Sequence, residues 1–221
     1  QPVDIPEGAK IFNWKRRFAD YKRPSMMFTQ SDKLAEILIR QTVHIVMAGR
    51  AHDTDYEMQN ELNKILKDID GNPTLKERVH FVQDYDEELA RALAQGADVS
   101  INTPRVRDAQ GRRISTEACG TSWEKDILNG TILISTPDGG VADLEVLAER
   151  AGEKFTASYL EITGNSFEEE VESLYKQMDR AATEIEKGTQ YEILKTQLEA
   201  FLPIICGARM QAEYLGLGLP R

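Results

Sequence analysis

The sequence predicts an α/β fold: a Rossmann-like parallel sheet with helices on both faces, followed by a C-terminal helical extension. Three observations carry this. Short apolar runs (Val43–Gly49, Val79–Val82, Val99–Ile101, Thr131–Thr136) alternate with segments of helical period. The runs at 43–49 and 131–136 are nearly continuous, as in strands covered on both faces rather than one. Alternating strands and helices imply right-handed crossovers and hence a parallel sheet. Residues 1–165 are expected to form this domain, and residues 166–221 to add helices packed on it.

The elements follow in order. Residues 1–9 hold Pro and Gly and read as a tail. Ile11 to Arg17 is the first strand, and it runs into five cations within nine residues: Lys15, Arg16, Arg17, Lys22 and Arg23. Ser31 or Asp32 caps a helix carrying Leu34, Ile37 and Leu38. After the strand Val43–Gly49, Asp53 or Thr54 starts a helix with Met58, Leu62, Ile65, Leu66 and Ile69 on one face. Gly71-Asn72-Pro73 ends it. Strand Val79–Val82 leads through Tyr85 to a short helix around Leu89 and Leu93, then to strand Val99–Ile101. Residues 105–114 are polar, basic and aperiodic, and predict an exposed loop. Ala142–Ala151 predicts a helix and Phe155–Ile162 a last strand. Ser166-x-x-Glu169 is a capping box that opens a helix bearing Val171, Leu174, Tyr175 and Met178. Gly188 closes it. Thr189-x-x-Glu192 opens another helix, in which Pro203 is expected to kink or break the rod. Residues 215–221 read as a loose tail.

Composition narrows the function. The 221 residues carry 27 Lys and Arg against 37 Asp and Glu, a formal charge of −10, which argues against a general nucleic-acid or anionic-membrane binder. Two cysteines, Cys119 and Cys206, make neither a disulfide scaffold nor a zinc site, so a reducing cytoplasm is the expected setting. Three histidines without ligand spacing predict no metal site. His44 and His80 fall inside predicted strands and His52 at a strand end. No apolar run is long enough to span a bilayer.

The stretch Glu117-Ala118-Cys119-Gly120-Thr121-Ser122-Trp123-Glu124-Lys125 reads as a small-residue loop opening a helix. Gly120 permits close backbone approach. Thr121 and Ser122 stand at the helix start, where free N–H groups favour an anion. Lys125 follows one turn later. It reads either as a site amine or as an ordinary solvent-facing helix lysine, and its acidic neighbours Glu124 and Asp126 favour its protonated form. The cation cluster after strand one lies where open α/β sheets bind ligands, though a solvated loop is an equal reading. Cys119, at a helix start, could have a lowered pKa, but no base histidine is near it in sequence. Asp138-Gly139-Gly140 is most simply a turn.

Several motifs occur in a fixed order: Phe18-Ala19-Asp20-Tyr21-Lys22-Arg23, Ala48-Gly49-Arg50-Ala51-His52, Val82-Gln83-Asp84-Tyr85-Asp86, Asn102-Thr103-Pro104, Glu117-Ala118-Cys119-Gly120-Thr121-Ser122 and Leu128-Asn129-Gly130. Over roughly residues 10–165 they resemble the C-terminal half of α-glucan (glycogen or maltodextrin) phosphorylases. The resemblance implies one Rossmann-like half of a GT-B glycosyltransferase. Such enzymes move a glucosyl unit from an α-1,4-glucan to phosphate, giving glucose 1-phosphate with retention. It implies pyridoxal phosphate on Lys125, with Thr121, Ser122 and Tyr85 around the cofactor. Arg17 and Lys22 would hold the substrate and cofactor phosphates. Glu117, Ala118, Cys119 and Gly120 would grip the sugar. It also implies that an N-terminal GT-B half is needed and that the isolated chain is inactive. Nucleotide-sugar glucosyltransferases of this fold resemble the same loop but place a second glutamate eight residues after the first, where this chain has Lys125. Such a transferase half, or a non-catalytic sugar-phosphate-binding module, is the alternative. Whether the chain forms a homo-oligomer is left open.

Overall fold

The computed structural model describes residues 4–83, 85–112, 114–117, 120–146 and 158–216. Six strands form one parallel sheet in the order β3-β2-β1-β4-β5-β6: β1 (Lys10–Lys15), β2 (Val43–Ala48), β3 (Val79–Val82), β4 (Val99–Asn102), β5 (Ile132–Ser135) and β6 (Leu160–Glu161). Pairing is in direct register, with Phe12 opposite Ile45 on one side and Val99 on the other. The chain steps outward from β1 to β3, then returns to the far side of β1 as β4. The carboxyl ends of β1 and β4 therefore flank the point where the winding reverses, the place at which open α/β sheets leave a crevice.

One face carries Phe12, Trp14, Ile45, Met47, Val99, Ile101, Ile132 and Ile134, all fully buried or within 1% of it. It packs under α1 (Ser31–Arg40), α2 (Tyr56–Gly71), α3 (Pro73–Arg78) and α6 (Phe167–Glu186) in one continuous core. The other face lies under α4 (Glu87–Gly96), α5 (Ser122–Leu128) and α7 (Gln190–Ile205), through Val46 and Leu93 at one end and Trp123, Leu133 and Phe201 at the other. Both layers are what continuous apolar strands require. Short β6 leaves part of the β5 edge unpaired. Gln197 from α7, fully buried, fills that gap: its Oε1 accepts from Leu133 N at 2.9 Å and its Nε2 donates to Thr131 O at 2.8 Å. A buried stretch of strand edge is thus satisfied by a side chain.

Several local expectations are corrected. Strand one ends at Lys15, not Arg17. Neither Ser31 nor Asp32 caps α1: the N-cap is Gln30, and Ser31 Oγ donates back to Phe28 O at 3.1 Å. Asp55, not Asp53 or Thr54, caps α2 by accepting from Met58 N. Asn72 ends α2 and at once caps α3, a helix hidden from the sequence reading by its six-residue length. The Ser166 capping box forms, with Glu169 N donating to Ser166 Oγ; the returning Glu169 carboxylate takes Asn165 N instead of the N-cap amide. Thr189 makes no side-chain cap. Pro203 does not end α7, which runs two residues past it to Ile205 before α8 (Gly207–Tyr214). A proline that near the helix end removes one hydrogen bond from a turn that frays anyway. The 105–112 segment is a folded turn: Asp108 accepts from Gln110 N and Arg112 N at 2.9 Å, and Val106 is buried.

Residues 143–146 begin the helix expected at Ala142–Ala151; its remainder, and the start of the last strand before Ser158, fall outside the described residues. Ala118, Cys119, Asp84 and residues 217–221 also fall outside them. No helix among the described residues is long and apolar enough to cross a membrane.

Candidate functional site

The site is assembled from three strand exits. Past β1, Arg16 N still donates to Ala48 O and Phe18 N to Arg50 O, so the chain continues beside β2 before turning. Gly49 permits this approach: a Cβ there would lie 2.1 Å from Arg16 O. The following one-turn helix, Asp20–Lys22, is stitched to the exit of β4. Arg105 N donates to Tyr21 O at 2.6 Å, and Thr103 Oγ1 donates to Lys22 O at 2.9 Å. Past β5, Asp138 reaches the loop that carries Glu117.

The five clustered cations part company. Lys15 turns away from the crevice and forms a buried ion pair with Asp126 of α5, whose other oxygen accepts from Ser100 Oγ at 2.7 Å. Arg23 pairs with buried Glu170 and donates to Thr103 O and Pro104 O, which anchors α6 to the turn. Both are structural. Arg16, Arg17 and Lys22 remain.

Arg16 is 5% exposed. Its Nη1 donates to Asn102 Oδ1, and Asn102 is held by Nδ2 donating to Ser135 Oγ at 2.7 Å. Its Nε and Nη2 are buried and meet no hydrogen-bond partner among the described residues. Burial pushes this guanidinium below its usual range, opposed first by Asp126 and then by Glu117. A buried guanidinium with idle donors is costly unless something anionic meets it. Lys22, 9% exposed, lies 3.0 Å from Glu117 Oε2. Among the described residues that oxygen has no aligned hydrogen-bond partner, so the pair is a charge contact. Burial and then Arg16 push the Lys22 amine below its usual value, while Glu117 opposes them. Tyr21 OH donates to Glu117 Oε1 at 3.3 Å and also bonds to Arg17, which is otherwise solvent-exposed. Burial, reinforced by Glu117, raises the Tyr21 phenol.

Gly120 has φ +67°, and a Cβ there would stand 2.8 Å from Glu117 Cγ. The loop therefore folds back over the carboxylate in a way only glycine permits. Lys125 is exposed on α5, and Thr121 and Ser122 open that helix without a side-chain cap. Asp126 does not face Lys125. It points inward, 0% exposed, because adjacent helix positions are about 100° apart. The acidic neighbour expected to favour protonated Lys125 is thus committed to Lys15. The Lys125 charge is nonetheless felt at Lys15. Tyr85 is half-buried beside Val46 and Leu93, and its phenol is raised by burial and then by Asp126, with Arg16 opposing.

Lys22, Glu117 and Tyr85 thus gather about one buried arginine, Arg16, at the switch point, while Arg17 is exposed beside Tyr21 and Lys125 is exposed on α5. Sequence reasoning missed Arg16 as the buried member, Asn102 as its holder and Asp138 as the loop's anchor. The signal for Arg16 was its place, one residue beyond a buried strand. His44 and His80 stack at 5.2 Å with ring nitrogens 2.9 Å apart, away from this site on β2 and β3. Among the described residues no group of three or more His, Cys, Asp or Glu side chains could hold a metal ion.

A doubly wound parallel sheet with a cationic mouth at its switch point defines a Rossmann-like α/β domain. Its solved relatives include Anabaena Alr3699/HepE in complex with UDP, which shares the fold at a TM-score of 0.61 and 17% identity over 94% of this chain and 49% of that one. The family model for carbohydrate phosphorylases matches residues 11–205, and the chain belongs to that family. Aquifex aeolicus glycogen phosphorylase is 30% identical over 214 residues, 90% of this chain and 28% of that protein. Thermococcus litoralis maltodextrin phosphorylase is 34% identical over 138 residues, 62% of this chain and 16% of that protein. The chain therefore spans less than a third of the length of either relative.

Proposed function

We propose that the chain is the phosphate- and cofactor-binding half of an α-glucan phosphorylase. It would transfer glucosyl units from an α-1,4-glucan to inorganic phosphate with an N-terminal GT-B half. The observation that carries this is Arg16: a buried guanidinium with two idle nitrogens, beside Lys22, at the sheet's switch point. Such a group fits a phosphate oxygen pair, which a guanidinium meets in two-pronged fashion.

The residues present fit pyridoxal phosphate. Arg16, with Arg17 and Lys22 beside it, would hold phosphate groups. Lys125 offers an exposed amine to the aldehyde, and Tyr85 would border the ring. When bound, the cofactor supplies a phosphate that shares a proton with the substrate phosphate. Lys22 and Arg17 would orient the attacking phosphate and neutralise charge that builds on it. Glu117 would leave Lys22 to accept hydrogen bonds from the hydroxyls of the glucosyl unit, while Gly120 keeps the loop close enough to enclose the ring. Residues 166–221, through the α6 contacts in the main core, would belong to the same folding unit.

Two measurements test this. Protein mixed with pyridoxal phosphate should show a bound-cofactor absorbance band that borohydride bleaches and Lys125→Ala abolishes. An unchanged band in Lys125→Ala would exclude the assigned lysine. A coupled assay for glucose 1-phosphate from maltodextrin and phosphate should show no turnover by the isolated chain. Robust turnover would overturn the need for a second half, and thermal stabilisation by UDP-glucose but not phosphate would move the reading to a nucleotide-sugar transferase.

A further inference from the structure

Asp138 lies on the turn after β5, 3% exposed, and none of the described lysines or arginines forms an ion pair with it. Neutral donors surround it instead. Ser115 Oγ donates to Oδ1 at 2.7 Å. Thr116 N and Glu117 N donate to Oδ2 at 2.9 and 2.8 Å, and the Thr116 hydroxyl, 3.0 Å from Oδ2, shares its one proton with Arg105 O at 2.6 Å. Burial alone would raise this carboxyl, but these donors together with Gly139 N hold it below its ordinary value. Burying a carboxylate among neutral donors is an expensive way to close a turn. What it does gain is geometry. Three consecutive residues, Ser115 to Glu117, are fixed to one side chain, and that side chain is fixed to the sheet by β5. The next atoms along the chain are the Glu117 carboxylate, 3.0 Å from Lys22.

We propose that Asp138 is a positioning residue: it sets the backbone of Ser115–Glu117 so that Glu117 is delivered to the cationic mouth, and it thereby controls sugar binding while leaving phosphate binding to Arg16 and Lys22. The second half of that statement rests on the functional reading above; the first does not.

The arrangement predicts which substitution is tolerated. In Asp138→Asn the amide oxygen can occupy the Oδ2 position and keep both backbone donors. The amide NH2 then faces Ser115 Oγ, a hydroxyl that can rotate to accept. In Asp138→Ala two backbone N–H groups lose their acceptor.

The experiment uses the whole chain and three proteins: wild type, Asp138→Asn and Asp138→Ala. Amide hydrogen exchange should show Thr116 and Glu117 exchanging at least about tenfold faster in Asp138→Ala, equivalent to about 1.4 kcal/mol of lost protection. Amides of β5 and α5 should be unchanged, and Asp138→Asn should be close to wild type. Equal loosening of β5 and α5, or no change at Thr116 and Glu117, overturns the positioning role. Titration with glucose 1-phosphate and with inorganic phosphate forms the second arm. Asp138→Ala should lose about tenfold or more in affinity for the sugar phosphate while its affinity for inorganic phosphate does not fall. Equal losses for both ligands would make Asp138 a general support of the fold and would also overturn the proposal. A wild-type protein that binds neither ligand would refute the functional reading, and the exchange result would still decide the anchor.

Discussion

Replacing Asp126 by Leu should destabilise the chain in a strongly pH-dependent way. Lys15 and Asp126 side chains are 3% and 0% exposed, and Ser100 completes the acceptor shell of the carboxylate. Removing one partner of a buried pair typically costs about 3–5 kcal/mol. Here the cost has a ceiling, because an orphaned Lys15 can shed its proton. From the ordinary lysine value of 10.5, that escape costs about 4.8 kcal/mol at pH 7 and about 2 kcal/mol at pH 9, at 1.36 kcal/mol per unit. The loss should therefore be about 3–5 kcal/mol at pH 7, or roughly 6–20 °C in Tm for a chain of this size. It should shrink toward about 2 kcal/mol at pH 9. The sign follows from proton counting: the unfolded variant keeps a proton on Lys15 that the folded variant gives up, so its stability rises with pH relative to wild type. Lys15→Met with Asp126→Leu should recover most of the loss, since apolar pairs of similar volume commonly replace buried ion pairs. Urea denaturation at pH 7 and pH 9 measures this. A loss below about 1 kcal/mol, or one equal at both pH values, would refute the reasoning, as would a double variant as unstable as the sum of its singles.

Other expectations are briefer. Gly120→Ala should cost about 1–2 kcal/mol from the left-handed backbone alone, and it should also push the Glu117 side chain away from Lys22, which a weakened sugar-phosphate affinity in calorimetry would report. Glu117→Gln should tighten inorganic phosphate by on the order of 1 kcal/mol, because Lys22 is released from a carboxylate 3.0 Å away; weaker binding would show Glu117 to be a fold support. Asp138 is held below its ordinary 3.8, so its contribution to stability is complete above that value and is lost as pH falls through the folded value. Protection of Thr116 and Glu117 amides should accordingly drop in wild type below about pH 4 and show no such step in Asp138→Asn.

Much of the sheet was legible because burial on both faces leaves a plain mark. Val43–Ala48 is buried at every position, and its sequence contains no alternation to misread. The strand order, with β1 between β2 and β4, was not legible in composition; it is set by which crossover returns to which edge. Local errors fell where two neighbouring residues could play one role. Asp53, Thr54 and Asp55 can all cap a helix, and only the direction of the incoming chain selects Asp55. The site divided the same way. Glu117, Gly120 and Lys22 could be picked out because their types and their motif order pointed to a ligand. The distinction among five clustered cations could not, because it depends on partners 111 and 147 positions away: Asp126 claims Lys15, Glu170 claims Arg23, and Arg16 is left with idle nitrogens. Asp138 looked like a turn residue because a turn is what surrounds it; its four contacts to Ser115, Thr116 and Glu117 cross 21 to 23 residues of chain.

The central claim is that the mouth at the ends of β1 and β4 receives phosphate through Arg16 and Lys22. Titration of inorganic phosphate into wild type, Arg16→Met and Lys22→Met, with circular dichroism to confirm that each is folded, tests it most directly. The account predicts saturable binding by wild type that each variant weakens by about 10- to 100-fold, the range for a hydrogen bond to a charged group of about 1.5–3 kcal/mol. Binding that is absent from the wild type, or that Arg16→Met leaves untouched, would contradict it.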